Sequence, residues 1–317
     1  MWYTAFMRSV LIEGLARKAF RFLAWIALAW CLCMSCACSR TSAVQPGLQS
    51  KTDSEAVVSN DSVFDAADVS SAGEIISEPP PDPRPQPLKS PDPFAFLVVE
   101  GFKDAVVSLP LGTRDPRPIV LATHGNYDTP EWQCRIWRDI VGDDAFVLCP
   151  RGVARADSPS SYDIRYEYAT NQLLEKEIDA GVEALRTAYP DYVGDGPLLF
   201  TGFSQGAIMG AAIMARRPDR YPRAVLIEGG QKAWYAGSAK TFSQGGGQRI
   251  LFACGQWDCH RQSVDAGRVL DRHGVGARVV FGRGEGHSYG GSVADEIAKA
   301  FDWVIEGDER WGHRSGR

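Results

Sequence analysis

The sequence predicts an α/β fold, a mostly parallel sheet of eight strands covered by helices on both faces. Three observations predict it. Apolar runs alternate with amphipathic stretches from Phe94 onward, after an antiparallel start. One run, Ile119-Val120-Leu121-Ala122, is apolar without interruption, as in a strand buried on both sides. Gly202-Phe203-Ser204-Gln205-Gly206 lies between an apolar run and a stretch of small residues with helical character, Ala207 to Ala215. That is a strand, a tight turn and a helix in immediate succession.

Taken in order, Phe94–Val99 and Ala105–Leu109 read as two strands joined by a turn at Gly101. Ile119–Ala122 is the third strand, Glu131–Val141 a helix and Ala145–Cys149 the fourth strand. Asn171–Ala188 is a helix with Leu173, Leu174, Ile178, Val182 and Leu185 along one side. Leu198–Thr201 leads into the turn at Ser204, and Ala224–Ile227 is the next strand. Strand Arg249–Cys254, helix Arg261–Arg272, strand Ala277–Phe281 and helix Val293–Ile305 complete the pattern. There is no internal repeat.

The folded part is expected over residues 94–310, behind a leader. Residues 1–38 read as an export signal. Arg8, Arg17, Lys18 and Arg21 form its basic region, Phe22–Leu32 is apolar, and a cysteine-rich zone of small residues follows. The apolar run is short against the roughly 20 residues of a membrane span. The cysteine zone resembles a bacterial lipoprotein signal, which implies a lipid on Cys36 or Cys38, although neither has Leu three positions earlier. A retained N-terminal anchor is the competing reading. Residues 39–93 read as a disordered linker rich in Ser and Asp, ending in a proline-rich spacer. The net charge of −5, with basic residues dispersed, gives no nucleic-acid footprint, and 44% apolar residues suffice for a large core.

A serine at the apex of a tight turn is lifted clear of the sheet, and its hydroxyl becomes a nucleophile if a base stands beside it. Histidine suits that role because its pKa lies near neutrality. Of the five histidines, His287 sits in Gly284-Glu285-Gly286-His287-Ser288-Tyr289-Gly290-Gly291, a glycine-rich loop after the last strand. His124 follows a strand, His260 and His273 flank a helix, and His313 lies in the tail.

The turn Gly202-Phe203-Ser204-Gln205-Gly206-Ala207 and the segment Cys149-Pro150-Arg151 resemble the α/β-hydrolase superfamily. They are most similar to its small carboxylesterase/phospholipase and dienelactone-hydrolase-like members. The resemblance covers about Phe94 to Glu306. It implies the α/β-hydrolase fold and a serine hydrolase without metal or organic cofactor. It implies Ser204 as nucleophile and His287 as base. The chain order Ser, acid, His places the acid between them. Asp258, in a loop after the strand Arg249–Ala253, is the expected acid, with Glu228 after the preceding strand as its rival and Asp265 as a solvated helix residue. The backbone N–H groups of Gln205 and Asn126 are the expected oxyanion donors, with Gly125 as a weaker candidate. His124-Gly125-Asn126 stands where many relatives have a glycine-rich sequence, which leaves the substrate open.

Four of the eight cysteines lie outside the leader. In an exported chain they are expected to pair as Cys134–Cys149 and Cys254–Cys259. Cys259-His260 has no second ligand pair at the usual spacing, so no metal site is expected. Trp257 and Tyr127 are expected near the site by chain proximity. The resulting expectation is an exported hydrolase of small-molecule carboxylic esters. A peptidase of the same fold and a non-catalytic surface binding protein on a hydrolase scaffold are the alternatives. The oligomeric state stays open.

Overall fold

A computed structural model describes residues 82–314 of the chain. The segment expected to be an export signal, with Cys36 and Cys38 as the cysteines expected to carry a lipid, and most of the expected linker fall outside the described residues. Residues 82–93 have no helix or strand, yet they are not a free tether. Leu88 is buried, its N–H donates to Thr113 O, and its carbonyl accepts from Gly112 N–H. The packed body therefore begins before Phe94.

Among the described residues, ten strands form two sheets. They are β1 (Phe94–Leu97), β2 (Ala105–Ser108), β3 (Ile119–Thr123), β4 (Phe146–Cys149), β5 (Val153–Ala154), β6 (Tyr166–Glu167), β7 (Leu199–Phe203), β8 (Arg223–Ile227), β9 (Arg249–Cys254) and β10 (Gly276–Phe281). The main sheet has eight strands in the order β1-β2-β4-β3-β7-β8-β9-β10. β2 runs antiparallel to both β1 and β4, and every other pairing in it is parallel. β5 and β6 pair antiparallel as a separate ribbon. They are too short for an alternation to register in the sequence.

Among the described residues, six α-helices accompany the strands, five between them and one after the last: α1 (Pro130–Val141), α2 (Asn171–Ala188), α3 (Gln205–Arg216), α4 (Ala236–Gln244), α5 (Trp257–Arg272) and α6 (Ser292–Ile305). Local chemistry fixes several starts. Thr129 and Thr170 accept the N–H groups of Trp132 and Leu173, and Pro130 occupies the first turn of α1, where a missing N–H costs nothing.

The inner strands of the sheet, β2 to β4 and β7 to β9, are buried on both faces because alternate residues feed two cores, while the edge strands β1 and β10 are only partly covered. Leu121, Phe200, Leu226 and Phe252 pack with α2, α3, α4 and α5. Val120, Leu199, Val225 and Leu251 pack with α1 and α6, around Trp137 and Phe301. Both expected disulfides are present, with Cα–Cα separations of 5.9 Å for Cys134–Cys149 and 5.6 Å for Cys254–Cys259. Among the described residues, no helix is long and apolar enough to cross a membrane. This layered arrangement brings the loops after β3, β7, β8, β9 and β10 to one edge of the sheet, where open α/β sheets carry their sites.

Candidate active site

The turn after β7 is sterically built around Ser204. The serine has φ 50° and ψ −110°, outside the regions an L-residue prefers. Its N–H donates to Ile227 O. The flanking glycines are required by close approach. A Cβ on Gly202 would lie 2.6 Å from Thr123 Oγ1, and one on Gly206 would lie 2.6 Å from the Thr123 carbonyl oxygen. Among the described residues, the non-glycine residues with positive φ are Tyr127, Ser204 and Glu228, and all three lie in the loops of this edge. Such positions cost on the order of 1–3 kcal/mol each and cluster where a site must be held in one geometry.

His287 completes the first contact. Its Nε2 lies 2.8 Å from Ser204 Oγ, and its Nδ1 lies 3.1 Å from Glu228 Oε2. The other oxygen, Glu228 Oε1, accepts the N–H of Gly255 at 2.6 Å and of Gln256 at 2.8 Å. The Glu228 side chain is 1% exposed and the His287 side chain 45% exposed, so the relay runs from a buried carboxylate to an accessible hydroxyl.

Asp258 is not in this relay, which corrects the expectation that it faces the histidine. α5 begins at Trp257, four residues before the start read from the sequence, so Asp258 belongs to a helical first turn and not to a loop. There it complements the helix dipole and pairs with Arg261 at 3.2 Å, with its side chain 78% exposed. Glu228, the rival carboxylate, occupies the position beside His287. Asp265 pairs with Arg268 on the exposed face of the same helix.

The candidate oxyanion donors are left free by their neighbours. Gly125 N–H points to Asp128 Oδ2 at 3.4 Å, Tyr127 N–H donates to Tyr166 O, and Gly206 N–H donates to His124 O. Among the described residues, no acceptor takes the N–H of Asn126 or of Gln205. The two loops abut, since a Cβ on Gly125 would lie 3.3 Å from Ser204 Cβ.

Several residues that hold these donors were not legible as functional. Gln205 Oε1 accepts the N–H of Tyr168 at 2.9 Å, and its Nε2 donates to Tyr168 O at 3.1 Å. Asn126 Oδ1 accepts from Arg155 Nη1 at 2.8 Å, and Arg155 also pairs with Asp157 and Glu167. The segment from Arg155 to Tyr168 thus grips both donor loops. Its only sequence signal is a spread of Arg, Asp and Tyr without period. Tyr289 OH donates to Asp128 Oδ1 at 3.2 Å and ties the base loop to the loop after β3. Burial, reinforced by Asp128, pushes the Tyr289 phenol far up, so it stays protonated as a donor. His124 is fully buried, stacked on Tyr168 at 4.4 Å, with its ring nitrogens facing the carbonyls of Gly125 and Arg151. Burial outweighs those two acceptors and pulls its pKa down.

Tyr127 lies in the candidate oxyanion loop, its hydroxyl donating to Asp157 O. Trp257 directly follows Gln256, whose N–H holds Glu228. A Glu228 oxygen and the sulfurs of Cys254 and Cys259 lie within 4.8 Å of one another. Both sulfurs are engaged in the disulfide.

No protein-family model matches the chain, and no curated protein matches it. Solved structures do resemble it. A carboxylesterase from Bacillus cereus is 16% identical, with 65% of this chain and 95% of that one covered and a TM-score of 0.46. The fluorophosphonate-binding serine hydrolase FphF of Staphylococcus aureus is 14% identical, with 68% and 100% covered and a TM-score of 0.48. An S-formylglutathione hydrolase from Agrobacterium tumefaciens is 13% identical, with 67% and 93% covered and a TM-score of 0.49. The strand order, the strained serine turn between β7 and α3, and the histidine loop after β10 give this chain the α/β-hydrolase fold.

Proposed function

We propose that this chain hydrolyses carboxylic esters through an acyl-enzyme on Ser204. The observation that carries the reading is the contact series Ser204 Oγ, His287 Nε2, His287 Nδ1, Glu228 Oε2, at 2.8 and 3.1 Å. Ser204 Oγ attacks the acyl carbon while His287 Nε2 takes its proton. Glu228 accepts the Nδ1 proton in a hydrogen bond. That fixes the tautomer with a free Nε2 lone pair and stabilises the imidazolium that forms. The developing oxyanion is met by the N–H groups of Gln205 and Asn126. His287 then returns its proton to the leaving alcohol, and water, activated by the same ring, releases the acid.

The covering segments are modest, which favours small soluble esters over long-chain lipids. The ribbon region around β5 and β6 carries Tyr162 fully exposed, and the stretch between β8 and β9 holds only a short helical turn and α4. Two disulfides support an exported location, where a lipid on Cys36 or Cys38 would tether the chain to a membrane. Turnover of p-nitrophenyl acetate by wild type and by Ser204→Ala tests the reading. The variant should stay folded and lose on the order of a thousandfold or more in kcat/KM. Wild-type turnover by the purified variant would overturn it.

A further inference from the structure

The Cys254–Cys259 bridge lies against the carboxylate of the relay and not at a remote corner of the fold. We infer that this disulfide is a positioning group for Glu228, setting the carboxylate for His287 through the loop that it closes. The inference rests on the assignment of Glu228 as the orienting acid.

Three observations carry it. First, the bridge closes a loop of only five residues' separation, and that loop supplies both N–H groups on Glu228 Oε1, from Gly255 and Gln256. With Oε1 so held, Oε2 is the oxygen left to face His287. Second, the same loop touches the base loop. A Cβ on Gly255 would overlap the Gly286 carbonyl and lie 3.2 Å from Glu285 Cβ, and Gly282 N–H donates to Cys254 O. Third, Glu228 itself sits at φ 51°, a backbone conformation that costs an L-residue energy and persists only where the surroundings hold it. The two N–H donors from the covalently closed loop are part of that hold.

The chain changes direction sharply within this loop, from the end of β9 at Cys254 to the start of α5 at Trp257. Gln256, at the helix entry, makes no side-chain cap. No capping side chain at Gln256 marks where the first turn begins, and the bridge ties that turn, through Cys259, to the end of β9. Without it, the Gly255 and Gln256 N–H groups lose their fixed register against Oε1. A misplacement near 1 Å in a relay of this kind costs on the order of a hundredfold. Cys134–Cys149 holds α1 to β4 and touches none of these groups.

A double-mutant cycle tests the inference. Cys254→Ala/Cys259→Ala is made in wild type and in Glu228→Gln. Kinetics use p-nitrophenyl acetate and the rate of fluorophosphonate labelling. In the wild-type background the pair should lower kcat about ten- to a hundredfold with KM within about twofold. In the Glu228→Gln background the same pair should cost less than about twofold, because the group being positioned is already lost. Cys134→Ser/Cys149→Ser should keep wild-type kcat. Equal losses in both backgrounds, or no loss in wild type, would overturn the inference. If the alanine pair does not fold, Cys254→Ser/Cys259→Ser carries the same cycle. Failure of both to fold would make the bridge a folding element and overturn the positioning role. Failure of the underlying acid assignment reads differently: Glu228→Gln alone would then leave kcat intact.

Discussion

Glu228 Oε2 stands 3.1 Å from His287 Nδ1, while its second oxygen is held by two backbone N–H groups. The carboxylate beside His287 therefore comes from the end of β8, one strand earlier than β9, which leads into the helical turn that carries Asp258. Glu228→Gln removes the negative charge that stabilises an imidazolium and can present an N–H where an acceptor is needed. It should lower kcat on the order of a thousandfold. Asp258→Asn, which breaks only an exposed pair with Arg261, should leave kcat within about twofold. Steady-state kinetics of the two folded variants check this, and a larger loss in Asp258→Asn would return the acid to α5.

The misplacement of the acid in the sequence reading has a physical cause. Cys254-Gly255-Gln256-Trp257-Asp258 offers no Ser, Thr, Asp or Asn at the residue that caps α5, so nothing marks a helix start before Arg261. A helix start at Arg261 leaves Asp258 in a loop, whereas the helix that forms begins at Trp257 and includes it. The inner strands of the main sheet are legible because alternate residues feed two buried cores, a demand that leaves continuous apolar runs such as Ile119–Ala122. Ser204 was legible because Gly202 and Gly206 are enforced by contact with Thr123. The grip of Gln205 on Tyr168 was not, since it joins a side chain to a backbone 37 residues away and leaves no periodic trace.

That grip makes a separate prediction. Gln205→Ala keeps the backbone N–H proposed for the oxyanion but leaves Tyr168 N–H and C=O without their side-chain partner. It should cost about 1–3 kcal/mol of stability and lower kcat more than it raises KM. Urea unfolding together with kinetics checks both. Unchanged stability would show that the segment is held from elsewhere.

His124 makes stability depend on pH. Its buried ring has a lowered pKa, chiefly through burial, so the unfolded chain binds a proton that the folded chain resists. The unfolded state then holds more protons below the ordinary histidine value of about 6.5, and stability falls as the pH drops through that value. The slope from this residue should approach but not exceed about 1.4 kcal/mol per pH unit. Urea unfolding at several values between pH 8 and pH 5, in wild type and His124→Gln, isolates it. The gap in stability between the two should narrow as the pH falls, and a gap that widens contradicts a buried neutral ring.

The central claim is that Ser204 is a nucleophile activated by His287. Peptide mapping of the wild-type protein after treatment with a fluorophosphonate tests it most directly, with Ser204→Ala and His287→Ala alongside. One phosphonyl adduct should appear on Ser204, be absent from Ser204→Ala, and form far more slowly in His287→Ala. Stoichiometric labelling of another serine, or equal labelling with His287 removed, would contradict the account.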